Sequence, residues 1–215
     1  MAPIGNLRDR LGRRLVQLFV GLVLYGVSMA LMIESALGLD PWDVFHQGLA
    51  ERTGLSFGTI TIIVGAAVLL LWIPLRQRPG IGTVSNVVLI GLAVDAALAL
   101  LPAPDALALR ITFLVSGIVL NGVATGMYIG ARLGPGPRDG LMTGYVALRP
   151  TRSIRLVRTT IEVAVLAIGF LLGGTVGVGT VAYALAIGPL AHVFIPLFTV
   201  APTVPPTRPA PEPST

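Results

Sequence analysis

Six stretches of this chain run almost free of charge: 15–33, 55–75, 81–101, 111–131, about 159–173 and 176–200. At about 1.5 Å of rise per residue, a helical run of this length approaches the roughly 30 Å hydrocarbon core of a bilayer. Backbone amides and carbonyls in lipid must be satisfied within the segment, so each run predicts an α-helix. A shorter element is predicted from Pro41 to Glu51. Proline suits the first helical position, and Asp40 or a neighbouring group can cap it. About a dozen residues cannot span, so this helix either lies along the interface or dips in as a re-entrant segment.

The pattern occurs twice. Gly38-Leu39-Asp40-Pro41-Trp42-Asp43, followed by Gly48, returns 96 residues later as Gly134-Pro135-Gly136-Pro137-Arg138-Asp139, followed by Gly144. At the same offset Arg14, Gly21, Gly26 and Ile33 match Arg110, Gly117, Gly122 and Ile129. At an offset of 97, Gly80 to Val84 matches Gly177 to Val181. Duplication outweighs local signals in deciding architecture. It divides the chain into a basic segment 1–13, a first half 14–109, a second half 110–200 and a proline-rich tail 201–215 expected to be disordered. Three crossings per half is an odd number, so the second half enters from the opposite face. The expected fold is an all-α membrane protein of six transmembrane helices in two inverted three-helix repeats, each with a short interfacial or re-entrant helix.

Composition agrees with this reading. Hydrophobic residues make up 54% and charged residues 12% of 215 positions, against roughly 45–50% and about 25% in soluble domains. The net charge of +5 comes with fifteen arginines and no lysine. They are scattered between apolar runs rather than gathered on a basic domain, which argues against nucleic acid. Thirteen of them fall on one side of the expected topology: Arg8, Arg10, Arg13, Arg14, Arg76, Arg78, Arg132, Arg138, Arg149, Arg152, Arg155, Arg158 and Arg208. Arg52 and Arg110 fall on the other. The positive-inside rule then places both termini in the cytoplasm. A basic start before an apolar run also marks a signal peptide, but the run at 111–131 is its counterpart deep in the chain. There is no cysteine, which removes disulfides and thiol chemistry.

Candidate chemistry is sparse. Asp95 lies inside the third run, and its counterpart in the sixth is His192, so one duplicated position is ionisable in both copies. The pair reads either as a proton pathway or as two groups near helix ends, since charge at the bilayer centre costs a few kcal/mol. Arg155, Arg158 and Glu162 share a helical face. They suit an anionic substrate, or an inside-positive anchor with one internal partner. Asp43 and Asp139 read as an ion or proton site, or as groups that cap the first turns of their short helices. If both short helices dip inward, their N-termini approach the midplane from opposite faces and favour an anion. Otherwise they pack the repeat as interfacial hairpins, with Trp42 anchored among headgroups. His46 reads as interfacial. Gly80 to Thr83 and Gly177 to Thr180 lack the strand, third glycine and lysine of a nucleotide site, and read as close-packing glycines with a threonine that satisfies the backbone. No metal, cofactor, nucleophile or phosphate constellation is visible, so an enzyme is not expected.

Taken together, Leu37 to Val44, Gly54-Leu55-Ser56-Phe57-Gly58, Arg78-Pro79-Gly80-Ile81-Gly82-Thr83 and Gly134 to Gly144 resemble the YczE/YyaS/YitT family of bacterial integral membrane proteins. The resemblance covers 14–200. It implies a multi-pass protein of the bacterial inner membrane and assigns no site residues. Arg138 stands where the first copy has Trp42, so the two short helices need not do the same job. The expected function is a secondary transporter or exporter of a small solute. The alternative is a non-transporting membrane partner or scaffold. The lipid bilayer is the expected surrounding, with a protein partner or a second copy also compatible.

Overall fold

The computed structural model describes residues 10–149 and 151–200. Among them are eight helices and no strand: α1 (Leu11–Ser35), α2 (Pro41–Thr53), α3 (Phe57–Leu71), α4 (Ile81–Leu100), α5 (Leu107–Gly130), α6 (Pro137–Leu148), α7 (Ile154–Leu172) and α8 (Val178–Phe198). Of the basic segment 1–13, residues 1–9, with Arg8, lie outside the described residues, while Leu11–Arg13 already belong to α1; the proline-rich tail 201–215, with Arg208, also lies outside them.

Four helices, α1, α4, α5 and α8, are long and apolar enough to cross a membrane. Counting α2 and α3 as one span bent by 114° makes five. The 55–75 run is shorter as a helix than its apolar length, because the chain turns at Trp72–Arg76. With 15 residues, α3 reaches about 22 Å. The second short run extends back to Ile154, so α7 takes in Arg155 and Arg158 as well as Glu162. Large apolar side chains point outward along the bundle, among them Leu70, Ile73, Leu100, Leu171, Val178 and Leu185. In water such a surface would be strongly unfavourable, and in a bilayer it is the lipid-contacting face.

At the centre α1 packs along α5, with α4 against α1 and α8 against α5. The core between α1, α4 and α5 holds Leu18, Leu22, Met29, Ile90, Val94 and Ala124. A second cluster joins Met32, Leu39, Val44, Leu114, Ile118 and Tyr183. Gln17 ties three helices together, its amide donating to the Met127 carbonyl (2.9 Å) and the Phe198 carbonyl (2.8 Å). Arg110 closes the end of α1, donating to the Ser35 and Ala36 carbonyls at 2.7 Å each. Those carbonyls have no partner within the helix, and a cation is favourable there.

The segments following α1 and α5 cross to the other half. The Gly82 amide donates to the Leu133 carbonyl (2.9 Å), and the Gly179 amide to the Leu37 carbonyl (2.7 Å). These two bonds join positions that correspond under the sequence offsets. Gly38 and Gly134 turn the chain there at φ 115° and 131°, where a side chain is strained. A Cβ on Gly38 would lie 2.7 Å from the Gly177 amide nitrogen, and one on Gly134 would lie 2.7 Å from Thr83 Oγ1. The short helices are exchanged in the same sense, α2 lying on α7 and α6 on α3.

Candidate functional site

Two short helices direct their first turns into the body of the protein. In α2 the cap is Asp40, whose carboxylate accepts from the amides of Trp42 (2.9 Å) and Asp43 (3.1 Å). Pro41 follows as the first helical residue, where its missing N–H costs nothing. Asp43 is therefore not the cap. It sits one turn inside, with Oδ1 3.2 Å from His46 Nδ1. Its Oδ2 is buried and has no protein partner, as is the Trp42 indole nitrogen. Trp42 and His46 are both buried, so neither is the interfacial residue that its amphipathic ring suggests.

The matching turn of α6 begins at Gly136, which offers no side-chain cap, and continues through Pro137. Trp72, buried at the end of α3, holds this turn by donating from its indole to the Pro137 carbonyl (3.0 Å). Arg138 reaches back to α1, where Nη2 donates to the Tyr25 hydroxyl at 2.5 Å. Asp139 also departs from the expected capping role, accepting from the Tyr128 hydroxyl (2.9 Å). Tyr25 and Tyr128 meet edge to face with ring centroids 6.0 Å apart, a favoured aromatic geometry.

A cavity of about 80 Å³ opens where these turns converge, lined by Tyr25, Trp42, Asp43, His46, Asn86, Tyr128 and Arg138, with Met29, Thr61, Val68 and Ile90 among its apolar and neutral walls. Beside it runs a chain of neutral hydrogen bonds. The Tyr183 hydroxyl donates to Asn121 Oδ1 (3.0 Å), the Asn121 amide to Ser28 Oγ (3.0 Å), and Ser28 to the Tyr25 carbonyl (2.6 Å). Every member is paired, which is what makes such a network tolerable at full burial. No group of three or more His, Cys, Asp or Glu that could hold a metal occurs among the described residues.

The other candidates lie elsewhere. Asp95 accepts from Ser56 Oγ (2.6 Å) and the Gly58 amide (2.7 Å), fastening the start of α3 to α4. His192 is exposed on α8, and no hydrogen bond or ion pair joins it to Asp95 among the described residues. Arg158 and Glu162 pair at 2.9 Å with the arginine side chain 53% exposed, and Arg155 is exposed beside them. Sequence reasoning missed Tyr25, Tyr128, Asn121, Tyr183 and Asn86. Their signal was available as hydrogen-bonding neutral residues inside otherwise apolar runs, and charge alone was too narrow a filter.

Comparison with known proteins places the chain in a family. Residues 12–196 match the model of a family of unknown function, DUF6198. An uncharacterised protein of Haemophilus influenzae is 39% identical over 188 residues, covering 87% of this chain and 86% of its own. The uncharacterised membrane protein YczE of Bacillus subtilis is 35% identical over 180 residues, covering 83% of each chain. YyaS of the same organism, also uncharacterised, is 26% identical over 182 residues, covering 83% of this chain and 90% of its own. No solved structure matches. With a family match along most of its length and relatives that include YczE and YyaS, the chain belongs to DUF6198 and is a membrane protein of the YczE/YyaS kind.

Proposed function

We propose that the protein is a secondary carrier of a small solute, with the cavity between the first turns of α2 and α6 as its solute site. One observation carries the reading: Asp43, a residue of that cavity's wall, is buried with its Oδ2 unpartnered. Buried polar atoms nearly always have a partner, and an ionisable group within a membrane bundle marks a substrate or ion path by default. The convergence of two short helices supports the same reading, since carriers commonly build their sites from discontinuous helices at the interface of inverted repeats. The corresponding bonds Gly82–Leu133 and Gly179–Leu37 support an inverted duplication. In this reading α3 and α7 complete six crossings in the bacterial inner membrane, with both termini cytoplasmic. Asp95 then secures a helix start, and Arg155, Arg158 and Glu162 form an inside-positive anchor. The chemistry is carriage rather than catalysis.

A carrier must open its site to each side in turn, which can be tested without knowing the solute. The chain has no cysteine, so Thr61→Cys places a single thiol on the cavity wall. A small membrane-impermeant methanethiosulfonate should label it when added to either face of sealed vesicles. Labelling from one face only, or from neither, would overturn the carrier reading and favour a scaffold.

A further inference from the structure

The groups facing the cavity define what can fill it. Asp40 is committed to the amides of α2 and Asp139 to Tyr128. Asp43 is different: it is 2% exposed, and its Oδ2 accepts nothing. Trp42, 7% exposed, presents an indole N–H that donates to nothing. Arg138 lines the same cavity, held at one nitrogen by Tyr25, and makes no ion pair among the described residues. The wall residues therefore include a carboxylate with one unpartnered oxygen, and a guanidinium and an unpartnered indole N–H as donors. Opposite charges that share a low-dielectric cavity attract strongly. These two are not paired with each other, so each can be met by a ligand group of opposite charge.

Size narrows the class further. A water needs roughly 10–15 Å³ of such volume, so about 80 Å³ holds about five to eight atoms of water size. Apart from His46, Thr61 and Asn86 the walls are mostly aromatic or aliphatic, with Tyr25, Trp42, Met29, Val68 and Ile90, and suit a short hydrocarbon body.

We propose that the cavity binds a small zwitterion, an amino acid or a compound of that kind, its ammonium at Asp43 and its carboxylate at Arg138 and the Trp42 N–H. The inference deepens the solute-site reading above and rests on it. A lone amine would leave the Arg138 side unmatched, and a lone carboxylate would leave Asp43 unmatched. A buried polar group left unpaired costs the bound state its desolvation.

The test is isothermal titration of the purified full-length chain in detergent with L-alanine, ethylamine and propionate, one probe for both charges and one for each alone. Alanine should bind at least tenfold more tightly than either. Asp43→Asn and Arg138→Gln should each weaken alanine at least tenfold, and Asp105→Asn, in the exposed loop before α5, should not. Because Arg138→Gln also removes the bond to the Tyr25 hydroxyl, Trp42→Phe supplies a milder change that keeps an aromatic ring and removes the donor. It should weaken alanine and leave ethylamine unchanged. Ethylamine or propionate binding as well as alanine, no binding by alanine, or alanine binding indifferent to Asp43 and Trp42 would each overturn the proposal. Alanine that binds but shows no counterflow in proteoliposomes would leave the ligand assignment standing and defeat the carrier reading alone.

Discussion

Asp43 and Asp95 are both carboxylates on helices of this bundle, and their surroundings give them opposite expected behaviour. Asp95 spends both oxygens on the start of α3, and hydrogen bonds to a charged acceptor contribute about 1.5–3 kcal/mol. Asp95→Ala should therefore lower unfolding stability in detergent by about 1–3 kcal/mol, while cavity labelling of the folded fraction persists. Asp43→Asn keeps the side-chain volume and removes the charge, so melting should change little while solute counterflow is lost. Normal counterflow in Asp43→Asn would refute the site. Sequence alone gives each of them an either-or reading. Position within an apolar run drew attention to Asp95, whereas the commitments of each oxygen depend on Ser56 and Gly58 packing across from α3. Asn121 was equally hidden, because only the fold brings Ser28 and Tyr183 to it.

At the scale of elements, the short helices were legible and their direction was not. Proline at the first position and a carboxylate before it gave α2 its start within the sequence, and Asp40 fills that role. Whether such a helix lies along a surface or turns inward depends on what receives it, and that is a tertiary property. For α6 the receiving surface is Trp72. A Cβ on Gly140 would collide with Trp72 Cζ2. Overpacking of this kind costs about 1–3 kcal/mol, so Gly140→Ala should lower the melting temperature and expose the Trp72 indole, read as a red shift in its fluorescence. Unchanged melting and emission would show that the ring moves aside freely. Gly38→Ala and Gly134→Ala should each destabilise by more than about 1 kcal/mol, since alanine at positive φ is strained. The corresponding contacts should make their melting shifts similar.

For the molecule as a whole, composition and run length established a helical membrane protein, and duplication suggested its internal order. The crossing count was less accessible. An apolar run at 55–75 looks like one span, but its end is a turn, and α7 mixes charges into its first turns because an arginine there can meet water or headgroups. Arginine distribution predicts sidedness, and the cysteine-free background allows a direct check. Single cysteines at Glu51 and Asp105 should react with impermeant maleimide from outside intact cells, and those at Gln77 and Thr151 only after the inner face is exposed. Any reversal within the set would break the six-crossing arrangement.

The bond from Gly179 to Leu37 also sets a timetable. Roughly 140 residues separate its two ends, and at about 5–20 residues per second the ribosome needs about 7–28 s to supply the later one. During that interval the turn after α1 lacks its backbone partner, whereas Gly82 and Leu133 wait for a shorter time. The turn after α1 thus closes only once the start of α8 has been made. A chain truncated before α8 should be recognised and degraded by membrane quality control even though most of its spans are complete.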